Sequence, residues 1–202
     1  MAPTTAGSER RVQILNEAQR LFNQQGFRET NLDDVAVRLG VKRQAIYYYF
    51  KSKEDILWEL VERASTTLAE SAESIFTADL PPERKIEALV DNHVRQLLGD
   101  IEIFRLDVLQ RDKLSTDRHE SVRKSQHEYV RRIAEIITEG QETGRFVAAA
   151  PYVQTLLIIG MCNWTLDWYR PESSTTVDDV AAEAVRMVMA GLAARRPRTR
   201  KT

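Results

Sequence analysis

An all-α fold follows from three features of the 202-residue sequence. Helix breakers are scarce, with 8 Gly and 6 Pro in the whole chain. Ala, Leu, Glu and Arg, all good helix formers, fill the stretches between them. Apolar residues recur at three- and four-residue spacing, and no stretch shows strand-like alternation. The composition, 43% hydrophobic and 29% charged, is that of an ordinary globular protein long enough to bury its own core.

About nine helices are expected. The first covers roughly residues 8–25, where Ile14, Leu15, Ala18, Leu21 and Phe22 make one stripe and Gly26 ends it. Asn31 caps a second, short helix with Asp33 and Asp34 in its first turn, and Gly40 stops it. A third helix spans about 43–49, after only Val41 and Lys42. Ser52, with Asp55 three residues on, opens a fourth that runs to about residue 76. The break at 79–82 contains two prolines, and Pro82 suits the first position of a helix reaching about residue 98. Helices over about 101–110, from 115 or 116 to the Gly140–Gly144 region, from Pro151 to about 169, and from Thr176 to about 194 complete the chain.

Charge is unevenly spread. Residues 1–55 hold nine Lys/Arg against seven Asp/Glu, residues 56–191 hold 15 against 23, and residues 192–202 hold five Lys/Arg and no acid. A basic head and tail around an acidic body allow a polyanionic partner at one end. Cys162 is the one cysteine, so the chain can form no internal disulfide, which suits a reducing, cytoplasmic setting. The longest apolar run, 156–162, is too short to cross a membrane, and no membrane partner is expected.

The second and third helices, joined by a glycine-containing turn, form a helix-turn-helix pattern. Three consecutive tyrosines in the third helix span roughly 200° of its circumference and cannot all face one core. Arg43, Gln44, Tyr47 and Tyr48 fall within one arc of about 140°, while Ala45, Ile46 and Tyr49 fall on the other side. A face of Arg, Gln and two Tyr is a poor core. It is well equipped for DNA, since Arg pairs with guanine, Gln with adenine, and Tyr hydroxyls reach phosphates. The mundane alternative is a solvated polar face.

Residues 26–57, with the core GVKRQAIYYYFKSKE at 40–54, resemble the DNA-binding head of the TetR family of transcriptional regulators. That resemblance implies base contacts from Arg43 and Gln44, and phosphate contacts or close approach from Tyr47, Tyr49 and Lys53. It places Tyr48 near bases or backbone, and Asn31 joins the expected DNA-binding set. Lys42 stands where the family often has a capping Ser or Thr; that loses a cap worth about 1 kcal/mol and offers a phosphate contact instead. Arg10 and Arg11 are within reach of a flanking minor groove, or else belong to a solvated terminus.

The resemblance further implies a homodimer on a near-palindromic operator, its half-sites roughly 34–36 Å or more apart, released by a small-molecule effector. The last two helices are the expected dimer face, with Leu157, Gly160, Met161, Val185, Val188 and Met189 singled out. The effector is expected among Phe104, Tyr129, Trp164, Trp168 and Arg170, all of which also read as core or capping residues. The stretch from Asn163 to Pro171 resembles regulators of lipid or steroid breakdown, some of which respond to acyl-CoA thioesters. The expected domains are a DNA-binding head at 8–52 and a ligand-binding and dimerisation body at 53–194, with tails at 1–7 and 195–202.

No catalytic constellation, glycine-rich phosphate loop or cofactor motif is present, and His93, His119 and His127 lack metal-ligand spacing. The leading expectation is therefore a DNA-binding repressor and not an enzyme. Its rivals are a ligand-sequestering or scaffolding helical dimer, and an all-helical enzyme that uses the body cavity.

Overall fold

The structure, a computed structural model, describes residues 5–194. The helices are α1 (Thr5–Gln25), α2 (Leu32–Arg38), α3 (Arg43–Tyr49), α4 (Lys53–Thr77), α5 (Pro82–Gly99), α6 (Ile101–Gln110), α7 (Thr116–Glu142), α8 (Pro151–Trp168) and α9 (Val177–Leu192), with one 3-10 turn at Arg111–Lys113. Residues 5–7, expected in a tail, belong to α1. Residues 1–4 and the basic segment 195–202, also expected as tails, lie outside the described residues.

The chain divides into two units. One takes the chain up to Thr66 together with Asp100–Arg123; the other takes Thr67–Gly99 and the chain from Lys124 on. Neither unit breaks at residue 52, where the sequence suggested a boundary. The start of α4 belongs to the first unit, with Ile56, Leu57, Leu60 and Val61 fully buried.

In the first unit, α1 packs on α2 and α6, and α2 packs on α3. The buried stripe of α1 is Ile14, Leu15, Ala18, Leu21 and Phe22. Asn31 and Asp34 form a reciprocal capping box at the start of α2. Its end is a Schellman turn: the N–H of Val41 reaches the carbonyl of Ala36 and that of Gly40 reaches Val37. Gly40 adopts φ +64, and a Cβ there would meet nothing, so the backbone angle alone calls for glycine.

In the second unit, α5 packs on both α8 and α9. In the last turn of α7, Gly140 lies so close to the Phe146 ring that a Cβ would stand 2.1 Å from it. A single antiparallel bridge joins Phe146 to Ala193 and closes the end of α9. Among the described residues, no helix is long and apolar enough to cross a membrane.

Candidate functional site

The third helix begins without a side-chain cap. Lys42 holds the extended N-cap conformation, and its side chain makes no capping bond. Ile46 and Phe50 are buried and fix α3 to the unit. Arg43, Gln44, Tyr47 and Tyr48 are exposed, Tyr48 by 83%, and Tyr49 is half-buried. The rings of Tyr48 and Tyr49 meet edge to face at 5.0 Å.

Arg43 is engaged on both terminal nitrogens. Nη1 donates to Asp33 Oδ2 at 3.0 Å and Nη2 to the Tyr47 hydroxyl at 2.8 Å. The guanidinium also lies 4.9 Å from the Tyr47 ring centroid. The hydroxyl, and then the carboxylate, hold its charge above the usual Arg range. Arg43 is thus presented at a defined place on the exposed face.

Three residues weighed for DNA contact have structural duties. Lys53 Nζ donates to the carbonyls of Phe27, Arg28 and Thr30 at 2.6–2.8 Å and sits 4.7 Å from the Phe27 ring centroid. All three of its donors are thereby occupied in holding the α1–α2 turn. Arg11, one candidate for the minor groove, pairs bidentately with Glu59, donates to the Tyr49 carbonyl at 3.3 Å and stacks 4.4 Å from the Phe50 ring centroid. It ties α1 to α4 and to the end of α3. Asn31, also in the expected set, uses its side-chain oxygen to cap α2.

The expected effector residues are divided between the two units. Phe104 is buried in the first unit and Tyr129 in the second. Trp164 and Trp168 lie exposed on α8, beside an open groove of about 660 Å³ that α9 also lines. Arg170 donates to the carbonyls of Asp167 and Tyr169, so it ends α8 as a capping cation.

A different polar group surrounds Tyr129. His93 Nδ1 lies 3.1 Å from the Tyr129 hydroxyl, and its Nε2 lies 3.2 Å from Asn163 Oδ1. Ile86, Leu89, Val90, Ile133, Ile158, Ile159 and Cys162 complete the walls of a cavity of about 10 Å³. Burial lowers the His93 pKa to about 4, raises that of Tyr129 and pushes the Cys162 thiol up to about 12. All three are neutral near pH 7. The sequence signal for His93 was its place in the α5 stripe, between Leu89-Val90 and Val94-Leu97.

Of the expected dimer residues, Leu157 is 69% exposed, Gly160 is exposed, and Met161, Val185 and Met189 are half-buried. Val188 is only 6% exposed and belongs to the core of its own unit.

A helix-turn-helix that offers Arg, Gln and Tyr on the free face of its second helix belongs to a DNA-binding regulator. The chain is a member of the tetR family of bacterial regulatory proteins, whose family model matches residues 14–60; the model for the tetracyclin repressor-like C-terminal domain matches residues 79–192. The HTH-type transcriptional repressor KstR2 of Rhodococcus jostii is 25% identical over 194 residues, 94% of each chain. A solved regulator of the TetR/AcrR family from Thermobifida fusca is 34% identical, with a TM-score of 0.72 over 93% of this chain and all of that one. The ketosteroid transcriptional regulator KstR2 of Mycobacterium tuberculosis, 20% identical, shares the fold with a TM-score of 0.86 over 92% of this chain and 96% of that one.

Proposed function

We propose that the chain is a homodimeric repressor that reads a near-palindromic operator and leaves it when a lipophilic effector binds. The observation that carries this reading is the exposed face of α3, where Arg43, Gln44, Tyr47 and Tyr48 stand out while Ile46 and Phe50 anchor the helix. Such a set has a use at base edges and phosphates and none in a core. Lys42 lies beside it, uncapped and exposed, and is assigned to a phosphate.

Dimerisation is supported by the outer face of α8 and α9. Leu156, Leu157, Trp164, Trp168 and Met187 are all exposed there, with Gly160 among them. A contiguous apolar surface of this kind marks a partner site, and a second copy gives the two-fold symmetry that a palindrome demands.

The effector site is assigned to the cavity lined by His93 and Tyr129, with Asn163 behind His93. Its walls are apolar and its polar groups neutral, so it suits an apolar body bearing one uncharged oxygen, such as a ketone, hydroxyl or thioester carbonyl. No cation lines it to balance a buried carboxylate. The cavity now has room for about one water, so a ligand must open it. Binding to the opened state shifts the population away from the DNA-binding one. The repressor name of the KstR2 relative accords with this reading.

The test is a gel shift on the DNA upstream of the chain's own gene, titrated with a steroid-like ketone, an acyl-CoA thioester and a matching free carboxylic acid. Release by the ketone or the thioester is expected. Release by the free acid alone, or by none of the three, would count against the assigned pocket.

A further inference from the structure

The contact between Asp33 and Arg43 joins two helices. Asp33 stands in the first turn of α2 and Arg43 opens α3. The carboxylate meets Nη1 at 3.0 Å, the Tyr47 hydroxyl meets Nη2 at 2.8 Å, and the Tyr47 ring lies beneath the guanidinium. The other Asp33 oxygen, Oδ1, is buried and has no hydrogen-bond partner among the described residues. The Asp33 side chain is half-exposed as a whole, so its place between α2 and α3 is set by the ion pair with Arg43 and by its position in the first turn of α2.

We infer that Asp33 is a specificity-determining residue, which holds Arg43 for a base edge and penalises its use on phosphate. This inference rests on the DNA-binding reading of α3. An Arg has five N–H donors, and the clasp takes one from each terminal nitrogen. Those that remain can meet neutral acceptors such as guanine O6 and N7 while the Asp33 contact persists. A phosphate is different. Moving Arg43 onto it exchanges one anionic partner for another and leaves the Asp33 charge beside the polyanion. Non-specific duplex, bound chiefly through phosphates, is thus disfavoured more than the operator. The other acid of that turn, Asp34, is occupied in the capping box, which leaves the role to Asp33.

The experiment compares wild type, Asp33→Asn and Tyr47→Phe on the chain's own upstream operator and on an unrelated duplex, across a salt series. Asp33→Asn keeps the shape and removes the charge. It should tighten the unrelated duplex by about five- to tenfold and steepen its salt dependence by about one ion, with a smaller gain on the operator. The ratio of the two affinities then falls several-fold. Tyr47→Phe, which also loses the hydroxyl expected at a phosphate, should weaken both duplexes and leave Asp33→Asn as the variant that tightens the unrelated one. Equal shifts on both duplexes from Asp33→Asn, or an unchanged unrelated duplex, would overturn the inference while leaving the DNA-binding reading intact. A wild type that binds neither duplex would sink both. Thermal melts of the three proteins separate these outcomes from loss of fold.

Discussion

At the scale of single residues, position in the fold decides what a charge can do. Lys53 was expected at a phosphate because of its place in a motif, yet its ammonium satisfies three carbonyls of the α1–α2 turn. Arg11 likewise bridges three segments of its own unit. Neither fact is legible in the sequence, because the partners lie 23 to 26 and 38 to 48 positions away. His93 offers a residue-scale test. Its pKa of about 4 in the fold lies below the ordinary 6.5, so the unfolded chain takes up a proton that the folded chain refuses. Stability should fall as pH drops from 6.5 towards 4, by an amount on the order of 3 kcal/mol from this group, and level off below that. Denaturant titrations of wild type and His93→Gln across pH 4–7.5 check this; the difference between the proteins should shrink as pH falls. Parallel pH profiles would show that His93 does not carry the effect.

At the scale of helices, periodicity and punctuation were highly legible. Gly40, Pro82, Pro151, Asn31 and Thr176 each mark an end that the structure also has, because caps and breakers act on neighbouring backbone groups. Sidedness was legible wherever polar and apolar residues alternate, as in α3 and α9. It failed in α8, which is apolar nearly all round. There Cys162 and Leu166 face the core while Leu157 and Trp164 face outward, and no pattern in the sequence separates the two pairs. The capping of α7 was also hidden: Glu54, on α4, accepts from the Ser115 N–H at 2.9 Å, and Arg118 pairs with both Glu54 and Asp55. The outward face of α8 makes its own prediction. Leu157→Glu, at a position 69% exposed, should leave the melting of the subunit nearly unchanged but convert a dimer to monomer in sedimentation at micromolar concentration. Operator affinity should drop at least about tenfold with it, since two linked heads bind more tightly than one. A Leu157→Glu protein that stays dimeric would place the interface elsewhere.

At the scale of the whole molecule, the helix count and order were readable. The sequence suggested a cut after residue 52, whereas the first unit extends into α4 and recruits α6 and the start of α7. Helices that continue from one unit into the other leave no linker of Gly, Pro or polar residues to announce a boundary. The central claim is that the free face of α3 reads DNA. A footprint on the DNA upstream of the chain's own gene, with wild type and Arg43→Ala side by side, tests it most directly. Wild type should protect a near-palindrome with half-sites about one helical turn or more apart, and Arg43→Ala should lose that pattern while still folding and dimerising. An identical footprint from Arg43→Ala at the same concentration would contradict the account.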